Sequence, residues 1–148
     1  MDEEILRDSR DLLVRLRELR VDVIGFANKK LAEKGSNMPQ YSVLAMLDEM
    51  GEATMGSLSR RLGTTMGAST NLVDKLVYAG LVERNRSSED RRVVNVKATE
   101  AGAELLESVT RSTAEYMGQF LQDISDSDRK EVIRITGRLV ELIRASRS

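Results

Sequence analysis

The sequence predicts a mainly α protein with a small β-ribbon, arranged as a winged helix-turn-helix between long N- and C-terminal helices. Three observations predict it. Aromatic residues make up 3% of the 148 residues, so the core must come from Leu, Val, Ile and the seven Met, which favours helices. Two short helical segments flank Gly63-Thr64-Thr65, the tight turn of a helix-turn-helix. Directly after them, Gly80-Leu81-Val82-Glu83-Arg84 and Val94-Asn95-Val96-Lys97-Ala98 read as two strands around the polar turn Ser87-Ser88-Glu89-Asp90.

The elements follow in order. A first, amphipathic helix is expected from about Glu4 to Lys34, with Leu12, Leu16, Leu19, Val23, Phe26 and Leu31 near the 3.6-residue period. Gly35-Ser36-Asn37 ends it, and Pro39, the only proline, suits the first turn of a second helix closed by Met50-Gly51. Val43, Leu44, Met46 and Leu47 supply its buried face. Thr54 caps a short third helix, Met55 to Leu62. The fourth runs from Met66 to about Tyr78, with Leu72, Val73, Leu76 and Val77 as its core face and Gly67, Thr70, Asn71 and Asp74 opposite. A two-stranded ribbon follows. Thr99 then caps a fifth helix extending to about Leu121, and Ser125-Asp126-Ser127-Asp128 separates it from a sixth that carries Val132, Ile135, Leu139 and Leu142 on one stripe. The terminal helices hold more apolar surface than a small wing domain covers, so a partner chain is the natural place to bury it.

Composition narrows the chemistry. There is no cysteine and no histidine, which removes disulfides, thiol sensing, thiolate or imidazole metal sites and imidazole acid-base catalysis together. Neither a membrane-length apolar run nor a secretory signal is visible, so a cytoplasmic location is expected, without membrane attachment. A serine nucleophile would need lysine or a carboxylate to activate it, and none is convincingly placed. No enzyme, cofactor or metal site is read from the chain. The net charge of −1 hides an uneven distribution, for residues 56–97 carry eight basic and four acidic side chains while both flanks are net acidic. A localised basic stripe can hold phosphates even on a near-neutral molecule, because screening limits each contact to roughly 8–10 Å.

The residues read as facing DNA are Thr65, Met66, Gly67, Ala68, Thr70, Asn71 and Lys75 around the fourth helix, and Arg86, Asp90, Arg91 and Arg92 on the ribbon. Small and polar groups suit a major groove about 12 Å wide, where hydroxyls and amides meet base edges. Each has a plainer reading as well. Thr65 is a helix cap, Thr70 and Asn71 are exposed helix positions, and the arginines keep a hairpin tip soluble.

Asp74-Lys75-Leu76, Gly80-Leu81-Val82-Glu83-Arg84, Asp90-Arg91-Arg92 and Thr99-Glu100-Ala101-Gly102, in this order and spacing, resemble the MarR family of transcriptional regulators over nearly the whole chain. Pro39 to Leu44, Leu58 and Leu62-Gly63 strengthen the likeness. Thr64 and Ser69 stand where the family is usually apolar, and Ala98 replaces a larger aliphatic residue. The resemblance implies one domain over residues 1–148, in which 36–98 form the DNA-binding lobe and 1–35 with 99–148 form dimerisation helices. It implies a homodimer on double-stranded DNA at a near-palindromic operator, with recognition helices in successive major grooves. In the family's Asp-x-Arg wing motif the carboxylate orients a minor-groove arginine, which corresponds here to Asp90 and Arg92. Without cysteine the peroxide-sensing branch is excluded. The expected function is a ligand-responsive repressor, with Phe26 and Tyr41 as candidate effector contacts. A winged-helix module that binds proteins and no DNA is the alternative.

Overall fold

The computed structural model describes residues 2–87, 90 and 92–146. Among them the elements run α1 (Glu3–Glu33), α2 (Met38–Met50), β1 (Glu52–Thr54), α3 (Met55–Leu62), α4 (Met66–Tyr78), β2 (Val82–Arg86), β3 (Val94–Ala98), α5 (Glu100–Leu121) and α6 (Asp126–Ala145). The backbone divides into two compact units, residues 1–113 and 114–148.

Short-range chemistry sets the boundaries in the first unit. At the start of α2 the Asn37 side chain accepts from the Gln40 N–H at 3.1 Å while Gln40 Oε1 accepts from the Asn37 N–H at 3.2 Å, with Pro39 in the first turn. Thr54 Oγ1 accepts from the Ser57 N–H and caps α3, each such cap contributing about 1 kcal/mol. Gly63, at φ 64°, ends α3 in the left-handed region that only glycine enters freely. Thr99 Oγ1 accepts from the Gly102 N–H at 3.2 Å and caps α5 as expected.

The ribbon is not two-stranded. β3 is the centre of a three-stranded antiparallel sheet in the order β1-β3-β2, with Ala53 opposite Val96 and Arg84 opposite Val96 on the other side. At three residues β1 is too short to show alternation in sequence, yet its Ala53 side chain is buried. Val43, Leu44 and Leu47 of α2 pack with Ala53, Leu58, Val73, Leu76, Val82 and Val96 into one core. Val77, expected on the core face of α4, is instead exposed, because Ser69, Val73 and Leu76 complete the inward stripe at spacings of four and three. A second cluster joins Ala27 and Leu31 of α1 to Val109 of α5, with Met38, Tyr41 and Leu105 against it. Farther toward the N-terminus of α1, Leu12, Leu16 and Leu19 are exposed.

In the second unit, Ser125 caps α6 through the Asp128 N–H, and a hydrogen bond from Lys130 holds the Asp126 carboxyl below its ordinary pKa. The Tyr116 and Phe120 rings meet edge to face at 5.2 Å. No described residue of α6 is buried, and Val132, Ile133, Ile135, Leu139, Val140, Leu142 and Ile143 are 37–66% exposed. No helix among the described residues is long and apolar enough to cross a membrane.

Candidate nucleic-acid interface

The site grows from the start of α4. Thr65 adopts an extended backbone and its Oγ1 accepts from the Ala68 N–H at 3.2 Å, so its own O–H proton remains available to a phosphate. Gly67, Ala68 and Asn71 are exposed, and space beside the Gly67 Cα is open to 4 Å. Asn71 makes no hydrogen bond among the described residues, which leaves its carbonyl and amide both free for the paired contact an adenine edge accepts. Thr70 is half-buried and donates its hydroxyl to the Met66 carbonyl at 2.8 Å. It therefore offers outward a methyl group and acceptor lone pairs, not a donor. Met66 is exposed, but its sulfur lies 3.5 Å from Ser59 Oγ on α3, a packing role. Lys75 is exposed and unpaired among the described residues. Pro39, at the start of α2, shares with Gly67, Ala68, Asn71, Leu72 and Lys75 an open groove of about 570 Å³. Nothing in its sequence context linked Pro39 to this face.

The wing supplies charge. Ser87 N–H donates to the Val93 carbonyl at 2.9 Å and Val93 N–H to the Asp90 carbonyl at 2.9 Å, closing the hairpin. Asp90 Oδ1 accepts from the Arg92 N–H at 2.9 Å and lies 3.9 Å from Arg92 Nε, while the Arg92 side chain is 95% exposed. One carboxylate thus fixes the backbone of Arg92 and leans on its guanidinium, which projects into solvent. Arg86 is exposed on β2 and makes no ion pair among the described residues. Arg91, read from sequence as part of this set, lies outside the described residues.

Sequence spacing alone did not connect Arg84 with Asp74. Arg84 Nη1 donates to Asp74 Oδ1 at 2.5 Å and its Nη2 to the Thr70 carbonyl at 3.4 Å, so β2 is tied to two successive turns of α4. An ion pair between Arg61 and Glu49 joins α3 to α2 in the same manner. Tyr78, at the end of α4, is 96% exposed.

The two candidate effector contacts are placed differently. Tyr41 lines a cleft of about 250 Å³ with Ala45, Asp48, Glu49, Ala103, Leu106, Glu107 and Thr110, and its hydroxyl lies 2.8 Å from Thr110 Oγ1. Phe26 does not line that cleft; Lys30 Nζ sits 5.7 Å from its ring centroid. Among the described residues no group of three or more His, Cys, Asp or Glu could hold a metal.

A sequence profile of the MarR family matches residues 36–94, from the start of α2 to the start of β3. The transcriptional repressor MprA of Escherichia coli K12 is 27% identical over 132 residues, covering 87% of this chain and 75% of that one. A MarR family protein from Bacillus stearothermophilus superposes with a TM-score of 0.79 at 26% identity, covering 100% of this chain and 99% of that one. The fold is also that of a mutant of S. aureus MepR bound to an oligodeoxyribonucleotide, with a TM-score of 0.68 at 19% identity, covering 89% and 97% of the two chains.

Proposed function

The chain belongs to the MarR family of transcriptional regulators, and from that premise we propose that it works as a homodimeric, ligand-responsive repressor on a palindromic operator in the cytoplasm. In this reading residues 1–148 act as one domain, 36–98 as the DNA-binding lobe and 1–35 with 99–148 as dimerisation helices. The single observation that carries it is the exposed, hydrogen-bond-competent face of α4, Gly67, Ala68 and Asn71 with Lys75, in the same unit as a wing whose Asp90 orients a solvent-directed Arg92.

Each part has a role. Thr65 and Lys75 meet phosphates, Asn71 and Thr70 meet base edges, and Gly67 and Ala68 let the backbone approach them. Arg86 contacts the sugar-phosphate backbone. Arg92 enters the minor groove, whose concentrated negative potential attracts a guanidinium already held extended by Asp90. Arg91, which lies outside the described residues, is assigned a DNA contact from its sequence position alone. The uncovered apolar faces of α1 and α6 support pairing with a second copy, which would set the recognition helices about one helical turn, ~34 Å, apart. The Tyr41 cleft, lined also by Ala45 and Leu106, is the place for an effector that changes this spacing, and Phe26, which does not line it, takes no part in that contact.

Selection of duplexes from a random pool tests the proposal. A recovered palindrome with half-sites one turn apart is the expected outcome, and Arg92→Ala should weaken its binding while leaving the dimer folded. Unchanged affinity for that variant refutes the wing assignment. A protein-binding winged helix is separated by salt: contact with six to ten phosphates loses about 10³–10⁵ in affinity between 50 and 200 mM, whereas an apolar interface barely responds.

A further inference from the structure

We propose that Arg84 is a positioning residue for sequence readout: it fixes the wing to the recognition helix and neutralises Asp74, without itself touching DNA. The inference rests on the DNA-binding reading above and adds to it how the two reading elements keep one geometry.

Asp74 follows Gly67, Thr70 and Asn71 at helical spacings of three and four, so it lies on the face that reads bases. A bare carboxylate there would repel phosphates. Arg84 removes that conflict, since its Nη1 donates to Asp74 Oδ1 at 2.5 Å. The second arm of the same fork reaches the Thr70 carbonyl at 3.4 Å, one turn earlier in α4. Two anchor points a turn apart fix an angle as well as a distance, which the planar guanidinium can do and an ammonium cannot.

What is fixed matters for readout. Arg84 sits on β2 two residues from Arg86, on the same side of the strand, and β2 leads directly to the wing turn. Thr70, whose carbonyl takes the second bond, neighbours Asn71. The fork therefore links the proposed base contacts of α4 to the strand that carries Arg86 and leads into the turn before Arg92. The Arg84 and Asp74 side chains are 32% and 56% exposed, so the pair adds little to folding and its deletion leaves the fold standing.

The test uses the full-length protein, the duplex it selects from a random pool and a scrambled duplex of equal length. Asp74→Asn, Arg84→Met and the double variant are titrated against both, with thermal unfolding as a fold check. Positioning predicts that each single variant lowers the selected-to-scrambled affinity ratio by roughly tenfold, within the range of couplings between side chains in one network. It also predicts that the double variant is no worse than either single one and that the slope of log affinity against log salt is unchanged. A direct phosphate contact by Arg84 carries no sequence information, so it would leave the ratio intact and reduce the slope by about one in Arg84→Met. An unchanged ratio in either single variant, multiplying losses in the double variant, or that reduced slope overturns the inference while the DNA-binding reading stands. Failure of the wild-type protein to bind any duplex overturns the DNA-binding reading itself.

Discussion

Gly102→Ala sets two opposed effects against each other, and the structure decides between them. Gly102 is buried in the first turn of α5, where alanine is intrinsically better for a helix by about 1 kcal/mol. A Cβ there would stand 2.1 Å from the Leu81 carbonyl oxygen and 3.0 Å from Leu44 Cδ2. Carbon and oxygen approach to about 3.3 Å at closest, so the helix start and the Gly80-Leu81 turn must part by roughly 1.2 Å. Those two segments are held together by the Thr99 N–H bond to Leu81 O at 3.1 Å and the Thr99 hydroxyl bond to Gly80 O at 2.6 Å. Losing both costs about 2 kcal/mol, and crowding Leu44 in the core adds about 1–3 kcal/mol. After subtracting the helix gain, the variant is expected to lose about 2–4 kcal/mol. For a chain of this size that lowers the melting temperature by roughly 5–15 °C, read by calorimetry at fixed protein concentration because the midpoint of any oligomer depends on it. A midpoint equal to or above wild type would refute the reasoning, since it would mean the close approach of Gly102 to Leu81 is not a constraint on the fold.

Ser69→Ala should act in the opposite sense: Ser69 is fully buried, its Oγ has no hydrogen-bond partner among the described residues, and removing it should raise stability by about 1 kcal/mol in urea titrations. A destabilised variant would show that the hydroxyl is satisfied after all. Gly67→Ala separates stability from function, because the added Cβ meets nothing within 4 Å. The variant is expected to melt slightly higher, by up to about 1 kcal/mol of helix propensity, yet to bind the selected duplex more weakly by about the 1–3 kcal/mol that one lost base contact costs. Equal or tighter DNA binding would remove Gly67 from the proposed interface.

The fold was legible where local chemistry dominates. Helix ends announced by Asn37, Pro39, Thr54, Gly63 and Thr99 came out within a residue or so of expectation, because a cap is a contact between near neighbours in sequence, whereas α6 starts at Asp126, inside the stretch read as a break. What escaped depended on tertiary pairing. β1 exists only because β3 offers it a free edge, and Val77 lost its expected burial to Ser69, a polar residue that periodicity alone would not send inward. The candidate interface was legible as a set of residue types, whereas its wiring was not. Asp74 and Arg84 are ten residues apart across a turn, and no pattern of spacing distinguishes that pair from two solvated charges.

The uncovered helices bear on the same question. An isolated helix in water is marginal, and helices in proteins gain most of their stability from burying an apolar stripe. α6 buries no described residue, yet carries seven exposed large aliphatic side chains. α1 shows the same contrast within one helix, for Ala27 and Leu31 are buried while Leu12, Leu16 and Leu19 face solvent. Residues chosen for solubility alone would not place such a stripe on two helices at opposite ends of the chain. The second copy proposed above would resolve it. The pairing that would cover these faces would also place two copies of the basic stripe of residues 56–97 on one duplex, so that a chain of net charge −1 would present two localised cationic patches to the phosphates.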